Sequence, residues 1–490
     1  MPVETNSSAL DGFRLLLQGA DLLEKLQGGL IGDKAMIDGP FGPKPLIYAD
    51  YVASGRALRQ VEEFVLNDIL PYYANSHTEA SWCGSFMTRM RAAARSEIAR
   101  ICGANDDFAT VFAGSGATAG LNRLVHLLGA SAPFQSSDDR PLVLIGAYEH
   151  HSNILPWRES GAEVIEIGEA ETGGPDLVEL ELVLGEKASG RLTVGAFSMM
   201  SNVTGIVTDT DAVTRILKRH GALSVWDCAG SGPYLPIDMK AGTDAEKDAV
   251  VVSPHKFIGG PGASGVMIVR KAAVTRSGPV FPGGGTVRFV SPWGHDYSSD
   301  LASREEAGTP NVVGDIRAAL CFMVKEALGQ EFLDRRHLEL RQRALSAWAD
   351  NPNIEVLGNQ AADYVVPMFS FRVRDGLKGG YLHQQLVTRM LSDLYGIQAR
   401  GGCACAGPYA HRLLGYDRQV SDALRSSILA GEELEKPGWT RLNLSALLSD
   451  DKADTVIAAV DLLARMPYPM CEAYDCDETT ARFNARAEVA

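Results

Sequence analysis

From about residue 47 onward, short apolar runs alternate with longer stretches of helical pattern, and this alternation narrows the choice of fold. A helical pattern such as that of residues 212–220 separates neighbouring runs. Strand–helix alternation is typical of a mostly parallel sheet with helices on both faces. We therefore predict an α/β fold in which a mostly parallel, seven-stranded sheet lies between helices. The predicted strands are residues 110–112, 141–145, 164–167, 192–197, 223–226, 249–252 and 266–269.

The pattern changes after about residue 315, where two helical stretches, 316–328 and 330–348, follow each other directly. Strand-like runs at 365–373 and 441–444 then flank a helical stretch at 381–394. This order predicts a smaller C-terminal α+β domain.

A chain of 490 residues is too long for one simple core. We predict an N-terminal extension (1–46) that packs on the body, a large domain (47–315) and a small domain (316–490). Within the extension, the leucines of residues 15–26 have helical spacing.

Charge and cysteine usage exclude several classes of function. The net charge of −15 argues against nucleic acid as a main partner. The eight cysteines are scattered and do not have the density of a disulfide framework. No apolar run reaches about 18 residues, and the N-terminus lacks a basic segment followed by an apolar core. We expect a reduced, cytoplasmic protein without a membrane partner.

A lysine directly follows one of the predicted buried strands. Residues 249–252 lead into Ser253-Pro254-His255-Lys256, and the run 223–226 leads into Asp227. Burial disfavours the charged form of a lysine, which helps chemistry that needs a neutral amine. A lysine and an aspartate at two strand ends suit pyridoxal phosphate (PLP), because the lysine can form a Schiff base while the carboxylate pairs with the pyridinium nitrogen. A solvated lysine is the alternative.

Two loops after predicted strands extend this hypothesis. Gly114-Ser115-Gly116-Ala117-Thr118 opens a helical pattern, so its amides and the Thr118 hydroxyl suit a phosphate; a plain turn is the alternative. Glu149-His150-His151-Ser152-Asn153 offers a flat imidazole that can stack on a cofactor ring. We predict no metal there, because adjacent residues on an irregular loop seldom converge on one ion.

Three further segments carry candidate groups. Cys403 and Cys405 lie in a small-residue loop, which suits an accessible thiol for nucleophilic or redox chemistry, although a structural loop is the alternative. Arg441 begins a predicted strand and can bind a carboxylate through two hydrogen bonds, or can be a surface residue at a strand edge. Asn202 follows the run 192–197 and can donate to a cofactor oxygen or form a turn.

Six segments occur in an order that is specific when they are taken together. They are Glu149-His150-His151-Ser152-Asn153-Ile154 with Pro156-Trp157, Ser201-Asn202-Val203-x-Gly205, Asp227-x-Ala229, His255-Lys256, Gly283-Gly284-Gly285 and Ala307-Gly308-Thr309-Pro310-Asn311. With them the chain resembles the class V aminotransferase superfamily over about residues 47–450, and within it most resembles the cysteine desulfurases. The resemblance implies the fold-type I architecture of PLP-dependent transferases.

The resemblance also implies roles at the cofactor. Lys256 would carry the Schiff base and move protons, and Asp227 would pair with the pyridine nitrogen. His150 would stack on the ring and act as an acid or base, while Asn202 would contact the phenolic oxygen and the substrate. The remaining cofactor-binding residues of the same subunit would be Ala117, Thr118, Ser253 and His255.

The same resemblance implies a homodimer with active sites at the interface, since Thr309 matches a threonine that reaches the phosphate of the other subunit. Arg441 and Arg400 match arginines that bind the substrate, a small amino acid. Cys405 matches the nucleophile of the desulfurases, so a sulfur-acceptor protein is an implied partner.

Two positions depart from the pattern of the desulfurases. Gly230 stands where these enzymes usually have glutamine, and Cys403-Ala404-Cys405 replaces their usual His-His-Cys or Ser-Ala-Cys. The second departure leaves open whether Cys405 or Cys403 is the nucleophile.

Three hypotheses for the function follow. The first is a desulfurase that cleaves the C–S bond of cysteine or a related sulfur amino acid and forms a persulfide on Cys405. The second is an aminotransferase, epimerase, β-eliminating lyase or decarboxylase of the same superfamily acting on another amino acid. The third is a non-catalytic scaffold, which Lys256, Asp227 and Asn202 argue against because packing alone does not require them.

Overall fold

The computed structural model describes residues 9–486 apart from 77, 132, 135, 137, 138 and 469. Residues 1–8 of the predicted extension and 487–490 of the tail lie outside the described residues. The leucines of residues 15–26, which have helical spacing, do not lie on one helix. Two helices, Asp11–Leu16 and Leu22–Gly29, flank Gly19, whose φ of 115° is incompatible with a helix. Phe13 and Leu26 are buried in the core of the larger part of the molecule.

The predicted main sheet is confirmed, and it is seven-stranded within the described residues. Gly265–Arg270 runs antiparallel to both of its neighbours, and the other strand pairs are parallel. The order across the sheet is Phe108–Gly114, Gly265–Arg270, Ala249–Val252, Leu223–Asp227, Thr193–Ser198, Leu142–Ile145 and Glu163–Glu166.

Both faces of the main sheet are covered. In the strand Leu142–Ile145, Leu142 and Leu144 join the apolar core on one face, while Val143 and Ile145 join the core on the other. Burial on both faces explains why this run of sequence is apolar without alternation. The helices of this part are Arg59–Phe64, Trp82–Ile101, Gly116–Leu127, Leu155–Glu159, Leu177–Lys187, Thr210–Arg219, Leu301–Glu305 and Val312–Leu328. The next helix, Gln330–Trp348, buries Leu340, Ala344 and Trp348 in a separate apolar core, which contains Phe369 and Phe371 of the C-terminal third.

A second, antiparallel sheet is built from the C-terminal third and is four-stranded within the described residues. Its order is Ile354–Val356, Met368–Val373, Trp439–Asn443 and Arg400–Gly402. The helices of this part are Gln384–Tyr395, Gly407–Leu414, Arg418–Leu429 and Asp450–Arg465.

Short elements complete the described chain. The two-stranded pairs are Met36–Ile37 with Lys44–Pro45, Ile47–Tyr48 with Ile397–Gln398, Val287–Ser291 with Gly294–Tyr297, and Tyr474–Asp477 with Arg482–Ala485. The 3-10 turns are Leu70–Tyr72, His151–Asn153, Pro254–Lys256, Lys271–Ala273, Glu433–Glu435 and Met470–Ala473, and Val65–Ile69 is a π-helical turn.

The helix Val312–Leu328 spans the predicted domain division at 315/316. Its buried residues Ile316 and Leu320 belong to the core that contains the main sheet. The division itself stays a prediction. None of the helices in the described part of the chain combines the length and apolar character needed to cross a bilayer.

Candidate active site

A cavity of about 290 Å³ lies where the carboxyl ends of the main strands meet residues of the second sheet. Ligands collect at this edge in open α/β sheets. The structure brings eleven of the twelve predicted site residues to this one cavity. They are Ala117, Thr118, His150, Asn202, Asp227, Ser253, His255, Lys256, Arg400, Cys405 and Arg441. The twelfth, Thr309, is exposed on a loop and does not contribute to the cavity as lined by the described residues.

Lys256 and Asp227 occupy the floor of the cavity. Lys256 ends the turn Pro254–Lys256, and Asp227 ends the strand Leu223–Asp227. Burial lowers the pKa of Lys256 to about 8, against the opposing effect of the Asp227 carboxylate. Burial also raises the pKa of Asp227, although its carboxylate accepts a hydrogen bond from the Ala229 N–H at 2.8 Å. The lysine therefore has substantial access to its neutral, nucleophilic form near pH 8.

One end of the cavity is suited to an anion. The Ala117 N–H donates to Ser253 Oγ at 2.9 Å, at the beginning of the helix Gly116–Leu127. Gly116 has a φ of 61°, and a Cβ there would lie 2.9 Å from Ser253 Oγ and 3.3 Å from His255 Cε1. A side chain at position 116 would therefore fill the space between these residues. Glycine keeps the Ser253 hydroxyl uncrowded, and the Thr118 and Ser253 hydroxyls with the helix N-terminus fit a phosphate group.

The His150 imidazole is held on the wall of the cavity. Its Nδ1 accepts a hydrogen bond from the Ser152 N–H at 3.1 Å, which leaves the ring proton on Nε2. Burial, followed by the charge of Lys256, lowers the pKa of His150 to about 4. The ring is therefore neutral at neutral pH, as stacking on an aromatic cofactor requires.

Two arginines share one carboxylate. Arg400 Nε donates to Asp50 Oδ2 at 2.9 Å, and Arg441 Nη2 donates to Asp50 Oδ1 at 3.1 Å. Arg441 is 4% exposed and lies in the middle of the strand Trp439–Asn443, so the alternative of a surface residue is wrong. Its Nε has no hydrogen-bond partner among the described residues. Sequence reasoning missed Asp50, because no local pattern links it to arginines about 350 and 391 positions away.

Cys405 lies in a short turn between the strand Arg400–Gly402 and the helix Gly407–Leu414. Its side chain is exposed and lines the cavity. Cys403 is half-buried and packs against an apolar cluster that includes Tyr409. The turn therefore gives its two thiols different surroundings.

Asn202 connects this turn to the rest of the site. Its Nδ2 donates to the Ala404 main-chain oxygen at 2.8 Å, and its own main-chain oxygen accepts from Arg441 Nη1 at 2.8 Å. The buried Oδ1 has no partner among the described residues. One amide proton and one amide oxygen thus remain for a bound molecule.

The remaining members of the 149–153 loop are structural contacts. The Glu149 carboxylate is buried and accepts hydrogen bonds from Asn153 Nδ2 at 2.6 Å and Ser198 Oγ at 2.7 Å. His151 contacts the cysteine turn, a role that the sequence did not reveal. Among the described residues, no group of three or more His, Cys, Asp or Glu side chains is placed to hold a metal ion.

Comparisons with known proteins identify the family. The class V aminotransferase family model matches residues 47–435, and the chain belongs to this family. A probable cysteine desulfurase of Vibrio cholerae is 31% identical over 372 residues, which cover 74% of this chain and 85% of that protein. A cysteine desulfurase of Pectobacterium atrosepticum is 30% identical over 373 residues, covering 74% and 85% respectively.

Solved structures agree on the fold. A cysteine desulfurase from Thermococcus onnurineus superposes with a TM-score of 0.70 at 24% identity, covering 86% of this chain and 95% of that one. A cysteine desulfurase from Escherichia coli has a TM-score of 0.68 at 21% identity, with 90% and 98% covered. The chain is a PLP-dependent enzyme with the fold-type I architecture.

The residues present fit this cofactor. The partly neutral amine of Lys256, the buried carboxylate of Asp227 and the neutral imidazole of His150 line one cavity. The N-terminus of the helix Gly116–Leu127, together with the Thr118 and Ser253 hydroxyls, is available for the phosphate. PLP needs an amine that reacts with its aldehyde, a carboxylate that pairs with its pyridinium nitrogen and a site for its phosphate. This cavity offers each of them.

Proposed function

We propose that this enzyme is a cysteine desulfurase that cleaves the C–S bond of cysteine or a related sulfur amino acid and leaves the sulfur on Cys405. The observation that carries the proposal is the exposed Cys405 thiol, which lines the same cavity as Lys256 and Arg441. Two relatives that are at least 30% identical bear the name cysteine desulfurase or probable cysteine desulfurase.

The cofactor-binding roles belong to this proposal. Bound PLP supplies an electron sink for the α-carbon of an amino acid. Asp227 pairs with its pyridine nitrogen, His150 stacks on its ring and serves as an acid or base, and Asn202 contacts its phenolic oxygen. Lys256 anchors its aldehyde carbon. The phosphate is held by Ala117, Thr118, Ser253 and His255.

Arg441 and Arg400 bind the substrate carboxylate in this proposal, with Asn202 as a third contact. Asp50 offsets only one of the two guanidinium charges, which leaves the cavity attractive to an anion. Arg441 is oriented from two sides by Asp50 and by the Asn202 main-chain oxygen. A planar, fixed guanidinium suits two-pronged binding of a carboxylate.

The reaction then uses two side chains of the chain itself. Lys256 Nζ accepts the α-proton of the bound amino acid and later returns a proton to the carbon fragment that becomes alanine. The Cys405 thiolate attacks the substrate sulfur as the Cβ–S bond breaks, and the electron pair of that bond stays with carbon. The products are alanine and a Cys405 persulfide, so every atom of cysteine is accounted for.

The proposal includes the partners and the organisation of the chain. The persulfide sulfur passes to an acceptor protein. The enzyme works as a homodimer in which Thr309 reaches the phosphate in the partner's active site. We also retain the division into an extension, a large domain and a small domain carrying the cysteine turn, and a cytoplasmic location.

Alanine release from L-cysteine by the PLP-loaded enzyme tests the function. We expect alanine from the wild type, none from Cys405→Ala and nearly wild-type amounts from Cys403→Ala, which serves as the matched control in the same turn. Full activity of Cys405→Ala would contradict the proposal. Pyruvate or a keto acid in place of alanine would instead support another PLP reaction, an alternative favoured by Gly230 at the position where the resemblance leads us to expect glutamine.

A further inference from the structure

The cysteine turn has an unusual backbone. Ala404 and Cys405 are consecutive and both have positive φ, 55° and 57° respectively. Residues with a Cβ rarely adopt this left-handed conformation, and they keep it only where surrounding contacts hold them there. The contacts that hold this turn are therefore the contacts that place the thiol.

One residue contacts the turn at two points, Cys405 and Gly407. The His151 main-chain N–H donates to the Cys405 oxygen at 2.9 Å. The His151 side chain also accepts, through Nε2, a hydrogen bond from the Gly407 N–H at 2.9 Å. Gly407 begins the helix Gly407–Leu414, so its N–H has no acceptor within that helix.

The sequence at Gly407 makes this close approach feasible. A Cβ at position 407 would lie 3.1 Å from His151 Nε2 and 3.9 Å from Cε1, so a side chain would crowd the imidazole. The Asn202 amide holds the middle of the turn through the Ala404 oxygen, as described above. Inside the turn, the Ala406 N–H donates to the Cys403 oxygen at 3.1 Å. Two side chains from outside the turn therefore hold it, those of Asn202 and His151. Asn202 is also a proposed contact of the substrate and cofactor, whereas His151 is not.

We propose that His151 is the positioning residue for the Cys405 thiol, and that its imidazole holds residues 403–407 in the strained conformation that presents the thiol to the cavity. The inference rests on the proposed function, because it assigns Cys405 as the nucleophile. His151 touches neither substrate nor cofactor in this scheme. It acts through the turn, while its neighbour His150 serves the cofactor.

Two substitutions at position 151 distinguish the loss of the hydrogen-bond acceptor from a change in side-chain volume. Leucine at position 151 fills space but cannot accept from the Gly407 N–H. Glutamine offers Oε1 near the position of Nε2, so His151→Gln retains an acceptor. His220→Leu is the matched control, because His220 hydrogen-bonds Glu181 on a distant helix. Gly407→Ala tests the same contact from the other side by crowding the ring.

The first measurement is amide hydrogen exchange of the segment 403–407 in the full-length protein. We expect about tenfold faster exchange in His151→Leu, the size of change that one lost hydrogen bond produces. His151→Gln and His220→Leu should stay close to the wild type, and Gly407→Ala should fall in between. A general loss of folding would instead raise exchange in the main sheet as well.

The second measurement is alanine release from L-cysteine. We expect kcat of His151→Leu to fall about tenfold with a nearly unchanged KM, because the carboxylate site is intact while the attacking thiol is misplaced. His151→Gln should recover most of kcat. Equal exchange and equal kcat in His151→Leu and the wild type would overturn the inference, as would a glutamine variant no better than leucine.

The two proposals fail in different ways. If the wild type releases no alanine, the desulfurase function is wrong, but hydrogen exchange at 403–407 still reports whether the imidazole holds the turn. If the wild type and Cys403→Ala release alanine while His151→Leu exchanges and reacts like the wild type, the function stands and the role of His151 is wrong.

Discussion

Arg441 Nη2 donates a hydrogen bond to Asp50 Oδ1 across 3.1 Å in a buried part of the active site. The other carboxylate oxygen accepts from Arg400 Nε at 2.9 Å. Asp50 follows the strand Ile47–Tyr48, which pairs with Ile397–Gln398 just before Arg400. Asp50 lies near the N-terminal end of the region that matches the family model, and it orients the two arginines proposed to bind the substrate carboxylate.

We expect Asp50→Asn to raise KM for L-cysteine about tenfold or more, because hydrogen bonds to charged groups contribute about 1.5–3 kcal/mol. The neutral amide cannot hold two guanidinium groups, so both arginines lose their shared anchor. Steady-state kinetics measure the change, and Asp33→Asn, which removes a partner of Lys452, is the control. A wild-type KM in Asp50→Asn would show that the arginines need no anchor to bind substrate.

The pKa of Lys256 predicts how the apoprotein takes up its cofactor. Burial lowers this pKa to about 8, and only the neutral amine attacks an aldehyde. The rate of PLP loading should therefore rise with pH up to about 8 and level off above it. Stopped-flow absorbance measurements of PLP loading at several pH values test this pH dependence. A rate that keeps rising to pH 10 would indicate a lysine with an ordinary pKa.

Asp227 provides a comparison within the same experiment. Its carboxylate opposes the effect of burial on the lysine, so Asp227→Asn should shift the loading profile to lower pH. The lowered pKa of Lys256 also makes the contribution of this residue to the free energy of unfolding depend on pH. Between pH 8 and the ordinary lysine range the unfolded chain binds more protons, so the contribution of Lys256 to the free energy of unfolding increases with pH there.

Much of the fold was predictable because its signal is local. Most strands of the main sheet are short, largely apolar runs, and two of them end in the polar residues Asp227 and Ser198. The helix Gln330–Trp348 was predicted at its observed bounds. The leucine spacing of residues 15–26 does not reveal the break between the two N-terminal helices, because it continues through Gly19, whose backbone conformation is incompatible with a helix.

The predicted site residues that follow strands of the main sheet, such as Asp227 and Lys256, converge because strand ends in a parallel sheet share one edge, which the sequence pattern already implies. The contacts of Asp50 and His151 were not predictable in this way. The His151 contact depends on how the second sheet packs against the first, whereas Asp50 reaches Arg400 through the pairing of Ile47–Tyr48 with Ile397–Gln398. In both cases the partners are hundreds of residues away in the sequence. Backbone strain at Ala404 and Cys405 likewise has no sequence signature, since neither residue is a glycine.

Glu149 links the histidine loop to the main sheet, and its substitution should affect stability. Its carboxylate accepts hydrogen bonds from Asn153 and from both Ser198 Oγ and N–H. Glutamine would present an NH₂ group to one of these donors, so we expect Glu149→Gln to lower the free energy of unfolding by about 1–3 kcal/mol. Urea denaturation of the full-length protein measures this, with the exposed Glu331→Gln as control.

The size of this loss should depend on pH. Burial raises the pKa of Glu149 to about 7, above its value in the unfolded chain. The stability linked to this group is therefore present below the unfolded pKa and is lost as the pH rises through about 7. The difference between wild type and Glu149→Gln should narrow from pH 5.5 to 7.5. A difference that stays constant over this range would mean that the buried carboxyl is ionised throughout.

Two neighbouring glycines after Asp227 should respond differently to alanine. Neither has a positive φ, so backbone conformation does not separate them. A Cβ at Gly230 would meet Met200 Cε at 3.5 Å and Asn202 Cβ at 3.7 Å, which are ordinary contacts. A Cβ at Gly232 would lie 2.9 Å from the Cys228 main-chain oxygen and 2.9 Å from the Phe257 ring.

We therefore expect Gly230→Ala to keep or raise the free energy of unfolding, by up to about 1 kcal/mol, because alanine restricts the unfolded chain. Gly232→Ala should lower it by about 1–3 kcal/mol through overpacking. Urea midpoints of the two variants give the comparison. Equal losses would mean that the cavity wall at Gly230 has no spare room. The expected contrast would instead show that this departure from the desulfurase pattern leaves usable space beside Asn202.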